Sequence, residues 1–205
     1  MIGALPAPAN RYFLLRHGES LANREGIIVS LPQSGLSGYG LTPLGRQQVA
    51  THVEQAKGAV TWRSVDAIVS SPFRRTLETA RIASGIVGAP VEVDDRLRER
   101  GFGELEGTTN ENYAKVWARD REDPSHTDWG VESVATLLRR ARELVEDLEA
   151  LGPGRTILLC THGDVASVLI CAFLGHDLGR HREVAAMAVG EVRPLRRLCG
   201  VPEEP

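Results

Sequence analysis

The sequence predicts an α/β fold, a three-layer αβα sandwich around a mostly parallel central sheet. Three observations lead there. Short apolar runs alternate with longer stretches of helical periodicity along the 205 residues, the pattern of repeated strand–helix units. Thr156 to Cys160 is almost purely apolar, as expected of a strand covered on both faces. Two strand candidates also end abruptly in a histidine followed by a glycine, at Arg16-His17-Gly18 and Thr161-His162-Gly163.

The first strand is read over Tyr12 to Leu15. Residues 24–40 hold four glycines, a proline and the bare apolar side chains of Ile27, Ile28, Val29 and Leu31. They read as a long loop, of the kind that is often functional or mobile. A helix begins near Thr42, with Thr42 as N-cap and Pro43 at the first helical position, where a missing N–H costs nothing. Val65 to Ser70 is the second strand. Ser71-Pro72 repeats the cap-then-proline signal and predicts a helix from there to about Ser84. Val91 to Val93 is a third, short strand.

Residues 95–131 lack clear periodicity and read as an irregular insertion that walls a site. Val134, Leu137, Leu138, Ala141, Leu144, Val145, Leu148 and Leu151 then form one helical stripe, capped by Ser133 and ended by Gly152. Thr156 to Cys160 is the fourth strand, an apolar helix follows, and Met187 to Val192 is read as the last strand. No repeat or linker divides the chain, so residues 1–205 read as one domain.

Composition excludes several function classes. Hydrophobic residues make up 42% and charged residues 25%, a globular and not a disordered profile. The net charge of −3 gives no general basicity for nucleic acid. No apolar run reaches the roughly 18 residues of a membrane span. The N-terminal stretch has no basic region ahead of an apolar one, so no signal peptide is read. Cys160, Cys171 and Cys199 form no CxxC pair, and reduced thiols in a cytoplasm are the expected state. His176 and His181, five residues apart, miss the spacing of a helical metal pair and read as surface residues. Arg193, Arg196 and Arg197 read as a solvated basic tail.

In open parallel sheets the ligand crevice lies at the carboxyl ends of the strands. Both His-Gly turns therefore project a histidine into that crevice. Arg16, Ser20 and Asn23 surround His17, Arg75 lies early in the helix after the second strand, and Glu99 follows the third. Read alone, each histidine fits a satisfied core or surface residue, and Glu99 fits a solvated charge in an arginine-rich run.

Together these segments resemble the histidine phosphatase superfamily, also called phosphoglycerate mutase-like. LLRHGESLAN at 14–23 matches its Arg-His-Gly signature, and GLTPLGRQQV at 40–49 its LTxxGxxQ segment. SSPFRRTLETA at 70–80 is similar to SSPLxRAxxTA, which places the family's phosphate-binding arginine on Arg75 and not Arg74. LRERGFGELEG at 97–107 is similar to LxExxFGxxEG, which places the acid on Glu99, and THGD at 161–164 resembles the second-histidine motif. The chain departs from the pattern at Leu105, where many relatives carry Trp, at Thr76, where many carry Ala, and in the longer loop 24–40. These departures bear on substrate preference and leave every catalytic position in place.

The resemblance implies phosphoryl transfer through a phosphohistidine on His17, with Glu99 as general acid and then base. A phosphate monoester carries nearly two negative charges at pH 7. Arg16 and Arg75 supply fixed positive charges with forked donors, and His162 supplies a further donor. Ser20, Asn23, Gly163 and Asp164 are the further substrate-binding candidates. For Ser20, capping the turn is as good a reading as binding phosphate. With this positive field no metal and no cofactor is needed. A general acid at neutral pH must have a raised pKa, so Glu99 is expected to be partly buried and weakly paired. The nearby arginines are expected to depress the pKa of His17.

The reading is a metal-independent phosphomonoesterase acting on small phosphate esters. The alternative is a cofactor-dependent phosphoglycerate mutase, which must shield its phosphohistidine from water and so needs more lid. The short stretch between Glu99 and His162 argues for an open site, although loop 24–40 could close over it. A phosphoprotein phosphatase and a non-catalytic phospho-ligand binder rank lower. The expected partner is a small-molecule phosphate ester. A homodimer is compatible with the sequence, and neither nucleic acid nor membrane is expected.

Overall fold

The computed structural model describes residues 8–58 and 64–195; Arg196, Arg197 and Cys199 lie outside them. Five strands form one mixed sheet in the order β3-β2-β4-β1-β5. They are β1 Arg11–Arg16, β2 Ala67–Ser70, β3 Val91–Val93, β4 Thr156–Thr161 and β5 Val192–Leu195. The pairs β1–β4, β4–β2 and β2–β3 are parallel, and β5 runs antiparallel to β1 at the edge. Helices cover both faces, as the alternation of strand and helix signals predicts.

Alternate side chains of the central strands feed two cores. Tyr12, Leu14, Ile157 and Leu159 pack under α6 (Val134–Ala150) and α7 (Gly163–Phe173). Phe13, Leu15, Leu158 and Cys160 pack under α3 (Pro43–Gly58) and α4 (Arg74–Val87). Ser133 caps α6, its hydroxyl accepting the Thr136 N–H at 3.1 Å. The α6 stripe is buried through Leu148, but Leu151 falls beyond the helix and is exposed. Thr42 accepts the Gly45 N–H at 3.0 Å, as a cap for α3 should. Among the described residues, no helix is long and apolar enough to cross a membrane.

The structure revises four expectations. The last strand is Val192–Leu195, not 187–192. The stretch before it spends its polar groups on the end of β1: Gly190 N–H donates to the Arg16 and His17 carbonyls, and the Met187 carbonyl accepts from Arg16. Pro194 is tolerated there because β5 is an edge strand. Second, α4 starts at Arg74 rather than at Ser71-Pro72, and runs on to Val87. Ser71 Oγ still accepts the Phe73 N–H, at 3.3 Å, but Phe73 is the N-cap, and the same hydroxyl meets His162 at 2.8 Å.

Third, the segment read as a long loop contains α1 (Leu21–Glu25) and α2 (Pro32–Gly35), and Ile28 and Val29 are buried. The Ile28 N–H donates to the Thr108 carbonyl and its carbonyl accepts from Gly107. Ile28 packs with Phe102, Leu105, Val116 and Val131 in a small third core. Residues 95–131, which supply most of that core, carry several 3-10 turns and one α-helix, α5 (Tyr113–Glu122). Fourth, His181 is fully buried, held on Asp120.

The turn after His17 is pressed against the start of α3. A Cβ on Gly45 would stand 2.0 Å from the Glu19 carbonyl oxygen, and one on Gly18 would stand 2.3 Å from that of Gly45. The clash is with backbone, which has nowhere to move without displacing the turn. Gly45→Ala is therefore expected to cost about 1–3 kcal/mol, as overpacking does. Urea unfolding would measure the loss, and an unchanged midpoint would show that the approach is looser than this.

Candidate active site

β1 and β4 pair in register, with Arg16 opposite Thr161. His17 and His162 are the next residues on each strand, so both emerge at the same height at the carboxyl edge of the sheet. Their rings meet edge to face with centroids 5.3 Å apart. β2 ends beside them, and the turn that follows brings Ser71 to His162 and carries the chain into α4, whose first turn holds Arg75. Parallel pairing and register alone thus assemble three of the expected residues and one unexpected one.

His17 is 3% exposed. Its Nδ1 is 2.8 Å from the Gly18 carbonyl oxygen. A carbonyl only accepts, so Nδ1 carries the proton and Nε2 keeps its lone pair. The Arg75 Nε–H reaches that Nε2 at 3.2 Å and the Nδ1 of His162 at the same distance. Burial, and then the charges of Arg75 and Arg16, push the His17 pKa well below 6.5. The sequence reading named only the arginines; burial is the larger cause. His162 is held neutral in the same way, first by burial and then by Arg75. With Nδ1 accepting from Arg75, its Nε2–H donates to Ser71 Oγ.

Glu99 is 8% exposed, and so is no solvated surface charge. Burial and the neighbouring Asp164 carboxylate raise its pKa to about 7, against the opposing pull of Arg75, the Arg100 N–H and Arg16. One of its oxygens lies 3.8 Å from His162 Nδ1 and the other accepts the Arg100 backbone N–H at 2.9 Å. This is the environment a carboxylic acid needs to hold a proton near neutrality.

Arg16, His17, Arg75 and Glu99 line a cavity of about 220 Å³ that also touches Ser20, Asn23, Gly163 and Asp164, while His162 and Ser71 lie fully buried behind this lining. Ser20 and Asn23 close a capping box on α1, in which Ser20 Oγ accepts the Asn23 N–H and Asn23 Oδ1 accepts the Ser20 N–H. Gly163 and Asp164 form the first turn of α7, whose free N–H groups favour an anion. The Asp164 carboxylate is taken up by protein donors, Trp117 Nε1 at 3.1 Å and Arg182 Nη1 at 3.2 Å. Glu19 bonds Thr42 at 2.6 Å and is not part of the lining.

Among the described residues, two buried donors on arginines that line this cavity have no hydrogen-bond partner, Arg75 Nη1 and Arg16 Nε. Unpaired buried N–H groups on guanidiniums are costly, and an oxyanion is the partner their charge and geometry suit. Among the described residues, no group of three or more His, Cys, Asp or Glu side chains is placed to hold a metal.

The sequence reading missed Ser71, Tyr113, Trp117 and Arg182. Tyr113 and Trp117 lie on one face of α5 at i, i+4, their rings stacked 5.4 Å apart. That spacing was a readable signal. Arg182 sits over the Trp117 ring at 3.9 Å, and nothing in its local sequence marks it.

The profile of the histidine phosphatase superfamily (branch 1) matches residues 12–196. A candidate phosphoserine phosphatase of Hydrogenobacter thermophilus is 31% identical over 173 residues, covering 82% of this chain and 80% of the relative. A bifunctional protein of Mycobacterium tuberculosis is 32% identical over 203 residues; it is matched by 92% of this chain, which spans about half of it, 52%. Among solved structures, a mycobacterial glucosyl-3-phosphoglycerate phosphatase in complex with VO3 is similar with a TM-score of 0.75, at 28% identity over 90% of each chain.

Proposed function

We propose that this chain, which belongs to branch 1 of the histidine phosphatase superfamily, is a phosphomonoesterase that acts on small phosphate esters through a phosphohistidine on His17. The observation that carries this reading is the arrangement around Arg75. Its Nε bridges the two histidines, and its Nη1, like Arg16 Nε, is a buried donor without a partner. Relatives named as phosphatases support hydrolysis as the outcome.

The phosphoryl oxygens take the free N–H groups of Arg75 and Arg16 and those at the start of α7, and His162 gains a proton as the dianion arrives. His17 Nε2 attacks phosphorus, and the P–O bond to the alcohol breaks. Glu99 gives its proton to the departing oxygen. Water then loses a proton to the Glu99 carboxylate, attacks phosphorus and breaks the P–N bond, which returns neutral His17 and inorganic phosphate. No step requires a metal.

The test is a panel of phosphate esters assayed with EDTA present, alongside 3-phosphoglycerate isomerisation in the presence of a bisphosphoglycerate primer. Phosphate release on several esters supports the reading. Isomerisation without release would replace it with a mutase.

The pKa of Glu99 gives the pH dependence its sign. The protonated carboxyl is the acid, so kcat/KM on an alkyl phosphate is expected to fall about tenfold per pH unit above about 7. An aryl phosphate, whose leaving group needs less protonation, should fall less. Glu99→Gln should slow the alkyl ester strongly while phosphate still binds. Equal loss of phosphate affinity in that variant would remove the acid assignment.

A further inference from the structure

We infer that the site selects esters whose alcohol part carries no second negative charge, an inference that rests on the phosphomonoesterase reading and names its substrate class. The described residues lining the cavity hold three guanidiniums, Arg16, Arg75 and Arg182. Arg16 and Arg75 carry the two unpartnered buried donors. Their two positive charges match the charge of about −2 on one phosphoryl group.

Arg182 already balances Asp164 through one nitrogen of its guanidinium. Its Nη1 donates to Asp164 Oδ1 at 3.2 Å and to Ser167 Oγ at 3.1 Å, and its guanidinium carbon lies 3.9 Å from the centre of the Trp117 ring. Asp164 is further held by Trp117 Nε1, with Arg100 at 3.5 Å. Arg100 is itself spent on Asp120, in a bidentate pair with both side chains fully buried. Lys115 sits over Trp129, outside the lining. Among the described lining residues, then, no cation is left without an acidic partner once a phosphoryl group has taken Arg16 and Arg75.

The rest of the wall suits a neutral alcohol. Ile27, Phe102, Tyr113 and Met187 offer apolar surface, and Asn23 and Asn110 offer amides that can bind hydroxyls. A substrate carboxylate placed there loses water and must compete with Asp164 for Arg182. Like-charge juxtaposition of this kind discriminates strongly against a ligand. This separates the chain from the relative named for a phosphoglycerate ester, whose substrate bears a carboxylate.

Glycerol 3-phosphate and 3-phosphoglycerate test this directly, because they differ in a hydroxymethyl against a carboxylate on the same three-carbon frame. The wild-type kcat/KM is expected to favour glycerol 3-phosphate by at least about tenfold. Asp164→Asn removes the wall anion and releases Arg182, so it should shrink that ratio whatever it does to the rate. Equal or better use of 3-phosphoglycerate would overturn the inference. So would an Asp164→Asn variant with an unchanged ratio, or an Arg182→Gln variant impaired on 3-phosphoglycerate alone. Calorimetric binding of the same pair to His17→Ala reads the discrimination without turnover. If wild type releases phosphate from neither ester, the hydrolase reading fails, and the ratio of Kd values still decides this one.

Discussion

His17→Ala is expected to lose at least about 10⁴-fold in kcat on every ester, since removal of a covalent nucleophile takes away the whole reaction path and not one stabilising contact. The side chain is well prepared for that role. The Gly18 carbonyl fixes its tautomer, burial and two arginines keep it neutral, and Arg75 orients Nε2. The variant should fold, because the imidazole contributes little to the apolar cores and its loss leaves the sheet register intact. Two measurements check the claim. Steady-state assays should show the loss with an unchanged thermal midpoint. Labelling with a radioactive phosphate ester, quenched in alkaline detergent, should leave on wild type a phosphoryl group that survives base and is lost in acid, and none on the variant. Residual activity within tenfold of wild type would falsify the nucleophile assignment.

Asp120→Ala is expected to cost about 3–5 kcal/mol of stability, the penalty for breaking a fully buried ion pair and leaving one charge behind. At this chain length that is a fall of about 6–20 °C in Tm. Asp120 accepts two hydrogen bonds from Arg100, at 2.6 and 2.7 Å, one from His126 at 2.9 Å and one from His181 at 3.2 Å. Burial by itself would raise its pKa; His181 and Arg100 reverse that and hold the carboxyl well below the usual range. Because the native state binds this proton less readily than the unfolded chain, the stabilisation stands above about pH 4 and fades as pH falls further.

Asp120 joins α5, the segment after Glu99, and the turns bearing His126 and His181, so the same substitution should loosen the wall formed by Tyr113, Trp117 and Arg182. Chemical unfolding at pH 7 measures the cost, and a loss under 1 kcal/mol would show that the network is slack. Replacing Asp120 and Arg100 together by Leu and Met should recover much of the loss, since apolar substitutes for a whole buried pair are often tolerated.

How much of this was legible in the sequence depends on the range of the interaction. Local signals served well. The α6 stripe, the Ser133 and Thr42 caps and the apolar run of β4 reflect contacts within a few residues of one another. The local signal failed where a distant partner competed for the same group. Ser71 looks like a helix cap and does accept the Phe73 N–H, but the register of β2 with β4 also delivers its hydroxyl to His162, at the shorter distance. His181 looks like a surface histidine until Asp120 is placed beneath it. Ile28 looks bare in the chain and is covered by Phe102 and its neighbours from residues 95–131.

The site divides along the same line. The residue types and their order along the chain established which groups take part: Arg16, His17, Arg75, Glu99 and His162 each sit next to a strand end or helix start that local patterning identifies. Their chemical states came from the packing. The proton on His17 Nδ1 depends on a single carbonyl, and the raised pKa of Glu99 depends on burial and on Asp164, 65 positions away. The commitment of Arg182 to Asp164 and Trp117 depends on three segments meeting. Tautomers, pKa values and paired charges are properties of the electric field and the water content at a point. Both are set by every group that arrives there, so the neighbours along the chain cannot fix them.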